Sequence, residues 1–330
     1  MSFSTSVNIS RDFGKTPDYI VTANARQAVG KIVNQYSAGI HSFCLIGSYG
    51  TGKSSFVLAL ENCLLGNTSG NEVLFKNHGQ FDNYHKFSFL NIVGDYASMS
   101  SVLSEALKSD NVNCLAAFES YYNKVHNKGK FLVVVVDEFG KILEHAAKNS
   151  PEKEMYFLQK FCEFVNDSNK NVIFLATLHQ SFNAYAKGLK ETQRQEWTKV
   201  KGRIFDIVFN EPIEQLLNLT STRLSEKVTK TATANVDIAY RLAVKSKFAS
   251  NSLKPEVAVS LYPMDVMSAY VLTMANQRYG QNERTLFTFL ESTGEGSIAT
   301  FEAQENYLYN LAEVYDYITY SFYSRLQEIN

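Results

Sequence analysis

The chain has 330 residues, 45% of them hydrophobic and 20% charged, which is enough apolar material for one large domain and a smaller one. Lys and Arg number 32 against 33 Asp and Glu, a net charge of -1 that excludes a bulk electrostatic footprint for nucleic acid or an anionic membrane but leaves room for a local basic patch. Cys44, Cys63, Cys114 and Cys162 form no C-x-x-C pair, no charged start precedes an apolar N-terminal stretch, and no segment is long enough to cross a bilayer; a reduced, cytoplasmic protein is expected.

In chain order, Asp18-Tyr19-Ile20-Val21-Thr22 leads into a predicted helix over 23–35. An apolar run at 43–46 reads as a short strand. It runs directly into Gly47, Ser48, Tyr49, Gly50, Thr51, Gly52, Lys53, Ser54 and Ser55, which fits G-x-x-x-x-G-K-[ST] and opens a helix. The spacing has a physical purpose. Glycines let successive backbone N-H groups turn inward around a phosphate chain, and the helix presents its positive end to the anion. Lys53 is then expected to reach the outer phosphates and the Ser54 hydroxyl to ligate Mg2+. A plain glycine turn before an ordinary helix is the bland alternative, and the strand-loop-helix setting argues against it.

Residues 66–85 are rich in Gly, Asn and Ser and read as a surface excursion. Further strands are predicted at 86–93, 131–136, 172–177 and 204–209, with helices at 101–107, 112–126, 152–165 and 182–197 between them. Right-handed crossovers would then cover both faces of one parallel sheet.

The third strand ends in Asp137-Glu138, two carboxylates delivered to the sheet edge that carries the phosphate loop. Asp137 is expected to hold Mg2+ through its water shell, and Glu138 to orient and partly deprotonate the attacking water. That second acid favours an NTP hydrolase over a kinase for small alcohols. The competing role for the pair is to cap the following helix. The fourth strand ends Thr177-Leu178-His179-Gln180, and Arg203 directly precedes the fifth.

At Asn210-Glu211-Pro212 the strand pattern stops and helices follow, so the expected division is an ATPase core with an N-terminal extension at 1–211, a helical lid at 212–290 and a C-terminal helical segment at 291–330. Gly280 reads as a helix stop and Asn282 as a cap, which puts Arg284 in a first helical turn where it opposes the dipole. Tyrosines crowd the last helix, for which helical packing is the plain explanation.

Taken together, G-S-Y-G-T-G-K-S, V-V-V-V-D-E, L-A-T-L-H-Q, K-G-R-I-F-D-I and G-Q-N-E-R-T resemble the AAA+ and STAND ATPases, nearest to the origin-recognition-like branch, over about residues 15–290. The resemblance implies an α/β P-loop NTPase fold of the additional-strand class: a three-layer parallel sheet of order 5-1-4-3-2 followed by a helical lid, with ATP and Mg2+ as ligands. It also implies roles for single residues. Thr177 would sense the γ-phosphate, with His179 and Gln180 as competitors; asparagine is the usual residue there, so threonine is a departure. Arg203 would face a neighbouring subunit's nucleotide, Arg284 would reach the γ-phosphate from the lid, and Tyr19 with Ile20 would pack on adenine.

D-E-F-G-K-I-L-E, L-H-Q-S-F-N-A-Y with E-W-T-K-V-K-G-R, and G-Q-N-E-R-T-L-F-T-F-L look similar to the N-terminal ATPase modules of large bacterial anti-phage defence proteins, BREX-like systems included. That implies a homo-oligomer or a hetero-complex with other defence proteins, and a chain that is a fragment or a short member. A nucleotide-bound scaffold without hydrolysis and a DNA motor or loader are the competing functions.

Overall fold

The computed structural model describes residues 7–15, 19, 21–48, 50–66, 86–109, 113–211, 213–227, 234–249, 253–279, 286–291, 296–302 and 307–328. Ile20, Tyr49, Gly280, Asn282 and Arg284, and residues 67–85 of the predicted excursion at 66–85, lie outside these. Contacts divide the chain into two units, one formed by Val7–Ser48 with Gly52–Asn210 and the other mainly by Glu211–Asn330.

The first unit is built on five strands, β1 (Ser42–Ile46), β2 (Phe87–Val93), β3 (Phe131–Asp137), β4 (Val172–Leu178) and β5 (Phe205–Val208), every neighbouring pair parallel. Their order across the sheet is β2-β3-β4-β1-β5, which is the expected 5-1-4-3-2 read from the other side. Helix α1 (Ala23–Ser37) precedes the first strand; parallel strands require crossover connections, and the helices between them are α2 (Lys53–Leu64), α3 (Met99–Leu107), α4 (Cys114–His126), α5 (Phe139–Lys148), α6 (Pro151–Val165) and α7 (Glu191–Lys201).

All seven residues of β3 are buried, as expected of a central strand covered on both faces. Its alternation assigns them to two cores. Leu132, Val134 and Val136 pack in a cluster with Phe139 of α5, Phe161 of α6 and Phe174 of β4. Phe131, Val133 and Val135 belong to the opposite cluster, with Ala28, Val29 and Ile32 of α1 and Val57 and Leu60 of α2. Because β2 is an edge strand, its flank would be exposed; the N-terminal stretch lies along it, with the Asn91 amide donating to Ile9 O at 3.3 Å and Phe13 against Phe89.

The predicted helix over 182–197 is a correction. The chain instead forms a 3-10 segment at Phe182–Ala186, turns at Gly188 with φ 89°, and only then enters α7. A left-handed residue ends helical propagation. The Trp197 indole N-H donates back to Phe182 O at 3.0 Å, so the two pieces still pack together.

The second unit is helical: α8 (Ile213–Lys227), α9 (Ala234–Lys245), α10 (Pro255–Ser260), α11 (Val266–Tyr279), α12 (Leu286–Glu291) and α13 (Leu311–Glu328). Its core includes Leu217, Leu272, Phe289, Tyr309 and Tyr317. Phe289 sits edge-on to Tyr309 and Tyr317 at 5.4 and 4.9 Å, so part of the late aromatic content is packing; Tyr307, Tyr315 and Tyr320 are exposed. Among the described residues no helix is long and apolar enough to cross a membrane.

Candidate functional site

The phosphate-loop sequence runs from the end of β1 to the start of α2. Gly47 N-H donates to Leu178 O at 3.1 Å and Ser48 N-H to the Asn210 side-chain oxygen at 3.2 Å, tying the loop's first residues to the ends of β4 and β5. Gly50 and Gly52 have φ 73° and 80°, and Gly52 is the residue before α2. Such left-handed turns let backbone N-H groups converge on an anion, which is what the motif predicts.

Lys53 is the first residue of α2 and is buried. Its ammonium donates to Gly47 O at 2.5 Å and Ser48 O at 2.8 Å, and lies 3.4 Å from His179 Nδ1. Burial brings the amine down to about 8, opposed by the charges of Asp137 and Glu138. Ser54 and Ser55 are half-buried in the first turn of α2, and Thr51 is buried.

Asp137 is the last residue of β3, and Glu138 the turn between β3 and α5. Glu138 adopts φ 55°, ψ 36°, a conformation uncommon for a residue with a side chain. Its carboxylate makes no capping hydrogen bond to α5 and pairs with Lys141.

Thr177 lies near the end of β4. Its hydroxyl donates to Asp137 Oδ1 at 2.5 Å and accepts from Glu138 N-H at 3.0 Å, with the residue only 1% exposed. The single proton is engaged by the carboxylate. From the same strand end, His179 is the group beside Lys53; burial, then the charges of Lys53 and Lys141, brings its imidazole down to about 3, so it is neutral. Gln180 is exposed.

Arg203 lies before β5, whose first residue pairs with Phe43, whereas the phosphate loop follows Ile46. It is thus at the other end of the sheet from the loop of its own chain. The guanidinium donates to Glu163 at 2.9 Å and to Lys199 O at 2.6 Å. Tyr19 is half-buried, its ring 6.5 Å from Phe56 of α2. Ile20, Tyr49 and Arg284 lie outside the described residues.

Several supporting residues escaped the sequence reading. Asn210 was legible only as part of a boundary signal, yet it anchors Ser48. Gly94 donates its N-H to Asp137 O at 2.7 Å, and a Cβ there would lie 2.5 Å from Glu138 O. A Cβ on Gly140 would lie 2.3 Å from the Tyr185 hydroxyl. A glycine directly after a strand is the only local signal among these.

The donor set fits Mg-nucleotide. A hydroxyl and a carboxylate are hard oxygen donors suited to Mg2+, and Lys53 supplies positive charge at the head of a helix. Among the described residues no group of three or more His, Cys, Asp or Glu is placed to hold a metal alone.

No protein-family model matches the chain, and no curated protein does. Solved structures do. The chain is similar to the ORC2 protein of Aeropyrum pernix in its ADPNP-ADP complexes, at 12% identity and TM-score 0.41, over 78% of this chain and 72% of that one. It is similar to PCH-2 of C. elegans at 13% identity and TM-score 0.39, over 92% and 67%. Domain III of the Thermotoga maritima replication initiation protein DnaA matches at 12% identity and TM-score 0.32, over 74% and 93%. These likenesses are of chain path only; strand order and loop carry the fold assignment.

Proposed function

We propose that the chain binds ATP with Mg2+ and hydrolyses it, and that nucleotide state controls its assembly or conformation. The observation that carries this reading is that the lysine at the head of α2 and the two acids after β3 meet the same end of β4: Lys53 lies 3.4 Å from His179 Nδ1, while Thr177, two residues earlier, bonds Asp137 Oδ1 at 2.5 Å and Glu138 N-H at 3.0 Å. Lys53 would exchange the carbonyls of Gly47 and Ser48 for outer phosphate oxygens. Ser54 and Asp137 would hold Mg2+, which when bound neutralises phosphate charge. Glu138 would release Lys141 and accept a proton from the attacking water. In the same reading Tyr19 and Ile20 contact the base, Gly47 to Ser55 wrap the phosphates, Arg284 reaches them from the lid at 212–290, and Arg203 acts on a neighbouring molecule's nucleotide.

Partners are then further copies of the chain or other proteins of a complex; a bacterial anti-phage defence assembly is the version that the three sequence stretches support. The Glu138–Lys141 pair favours a second reading, a scaffold that retains nucleotide and turns it over slowly.

The two readings separate in one experiment. Lys53→Ala is expected to weaken ATP binding by about tenfold or more, and Glu138→Gln to bind ATP as wild type does while single-turnover hydrolysis falls by about two orders of magnitude. Undiminished turnover in Glu138→Gln would sink the mechanism. Wild-type protein that keeps its nucleotide through purification without hydrolysing it would favour the scaffold.

A further inference from the structure

We infer that Glu163 is a latch: it holds the Arg203 guanidinium within its own chain and gives it up when a neighbouring molecule offers nucleotide phosphate, so that the arginine is withheld until the chain assembles. The inference rests on the proposed action of Arg203 between molecules.

Arg203 is held at both ends, in different ways. Its backbone is fixed: the N-H donates to Val200 O at 2.9 Å, and the carbonyl accepts from the Asn166 amide at 2.8 Å. Asn166 directly follows α6, and its side-chain oxygen also accepts the N-H of His41, the residue before β1, at 2.9 Å. This anchor therefore joins α6 to the starts of β1 and β5. The guanidinium is held nearer the surface, donating to Glu163 Oε1 at 2.9 Å and to Lys199 O at 2.6 Å, with the Arg203 and Glu163 side chains 32% and 35% exposed. Only the fork has to move for the arginine to reach outward.

Losing the arginine costs Glu163 little. Its carboxylate takes two further hydrogen bonds from its own helix, from the Gln159 amide to Oε1 at 2.9 Å and from the Lys160 ammonium to Oε2 at 3.0 Å. These two, more than Arg203, bring the carboxyl down to about 2. Both oxygens thus stay bonded after Arg203 leaves. An ion pair exposed to this degree favours the paired state by a factor of about two to five. A nucleotide phosphate carries more charge than one carboxylate and offers the planar fork two oxygens, so it displaces Glu163.

Glu163→Gln removes the charge and keeps the shape. Specific hydrolysis rate would be measured against protein concentration for wild type, Glu163→Gln, Arg203→Ala and the double variant, with ATP affinity read on the same preparations using a fluorescent analogue. An interaction open to only a fraction of molecules is weakened by that fraction, so the glutamine variant is expected to reach half its maximal rate at about two- to fivefold lower protein concentration. Its maximal rate and ATP affinity are expected to stay within about twofold of wild type. In the Arg203→Ala background the same substitution is expected to shift nothing. An unshifted or raised midpoint, or the same shift with Arg203→Ala, would each overturn the inference.

Phenylglyoxal, which attacks an unengaged guanidinium, reads the latch in nucleotide-free protein. Followed by peptide mass spectrometry, Arg203 is expected to be modified about two- to fivefold faster in Glu163→Gln than in wild type, while Arg26, exposed on α1, reacts alike in both. Equal rates at Arg203 would overturn the latch. A wild-type specific rate independent of protein concentration refutes the assembly reading instead, and the labelling still decides whether Glu163 withholds the arginine.

Discussion

Glu61 lies on α2 seven residues beyond Ser54, about two turns along the same helical face. It is 1% exposed, and neither carboxylate oxygen makes a hydrogen bond of ordinary geometry. Burial pushes the acid from 4.5 up to about 8, the charge of Asp137 adding to the effect and the Asn91 amide opposing it. The sign of the consequence follows directly. Below 4.5 the folded and unfolded chains both carry the proton. Between 4.5 and about 8 the unfolded chain loses a proton that the folded chain keeps, so stability falls as pH rises, and the loss is complete above 8. Glu61→Gln removes this dependence and is expected to raise stability at pH 8.5 by about 2–5 kcal/mol while changing it little at acid pH. Urea denaturation at both pH values checks it; an unchanged pH slope would show that the carboxyl ionises freely. The contrast with Lys53 is instructive. The lysine was legible from eight contiguous residues, whereas nothing in the α2 sequence tells that Glu61 faces inward, because the decision belongs to the sheet packed against it.

At the scale of elements, two glycines near the site are required for different reasons. Gly52 has φ 80° and nothing within 4 Å of a built Cβ, so its demand is conformational; Gly52→Ala is expected to cost about 1–2 kcal/mol through backbone strain alone. Gly94 has no such conformation, but a Cβ would meet Glu138 O at 2.5 Å and Asp137 O at 3.0 Å. Backbone cannot yield as a side chain does, so Gly94→Ala is expected to cost about 1–3 kcal/mol and to slow hydrolysis as well. Thermal denaturation and single-turnover rates on both variants would separate them: a Gly94→Ala protein with wild-type rate would show that the β2–β3 junction does not position Glu138. The strands were legible because runs such as 131–136 are β-branched and uninterrupted. The helix expected over 182–197 was not, since its apolar spacing continues through Gly188 and only the glycine's backbone breaks it.

For the whole molecule, the net charge of -1 gives no general attraction to nucleic acid, so assembly with protein is the interaction to test first. Arg203 sits at the sheet end away from its own phosphate loop, and its proposed action on nucleotide requires a second molecule. Glu138→Gln protein is expected to be larger by mass measurement with ATP and Mg2+ than without, and Arg203→Ala is expected to reduce hydrolysis in the assembled wild-type background by about tenfold or more. A monomer under both conditions would remove the finger role and favour the scaffold. Arg203→Lys would not substitute, because an ammonium lacks the planar fork of donors.

The positions of the strands, the phosphate loop and the acidic pair were determined by the sequence, because each depends on residues that are neighbours along the chain: a periodic apolar run, a glycine spacing, two carboxylates at a strand end. The duty of Thr177, the anchoring of Ser48 by Asn210, the fit of Gly94 against Glu138 and the neutral burial of Glu61 were decided only by tertiary structure. Each depends on strands and helices far apart in sequence coming within a hydrogen bond or a van der Waals radius of one another, and a single-residue change of register between β3 and β4 would have separated Thr177 from the acids it serves.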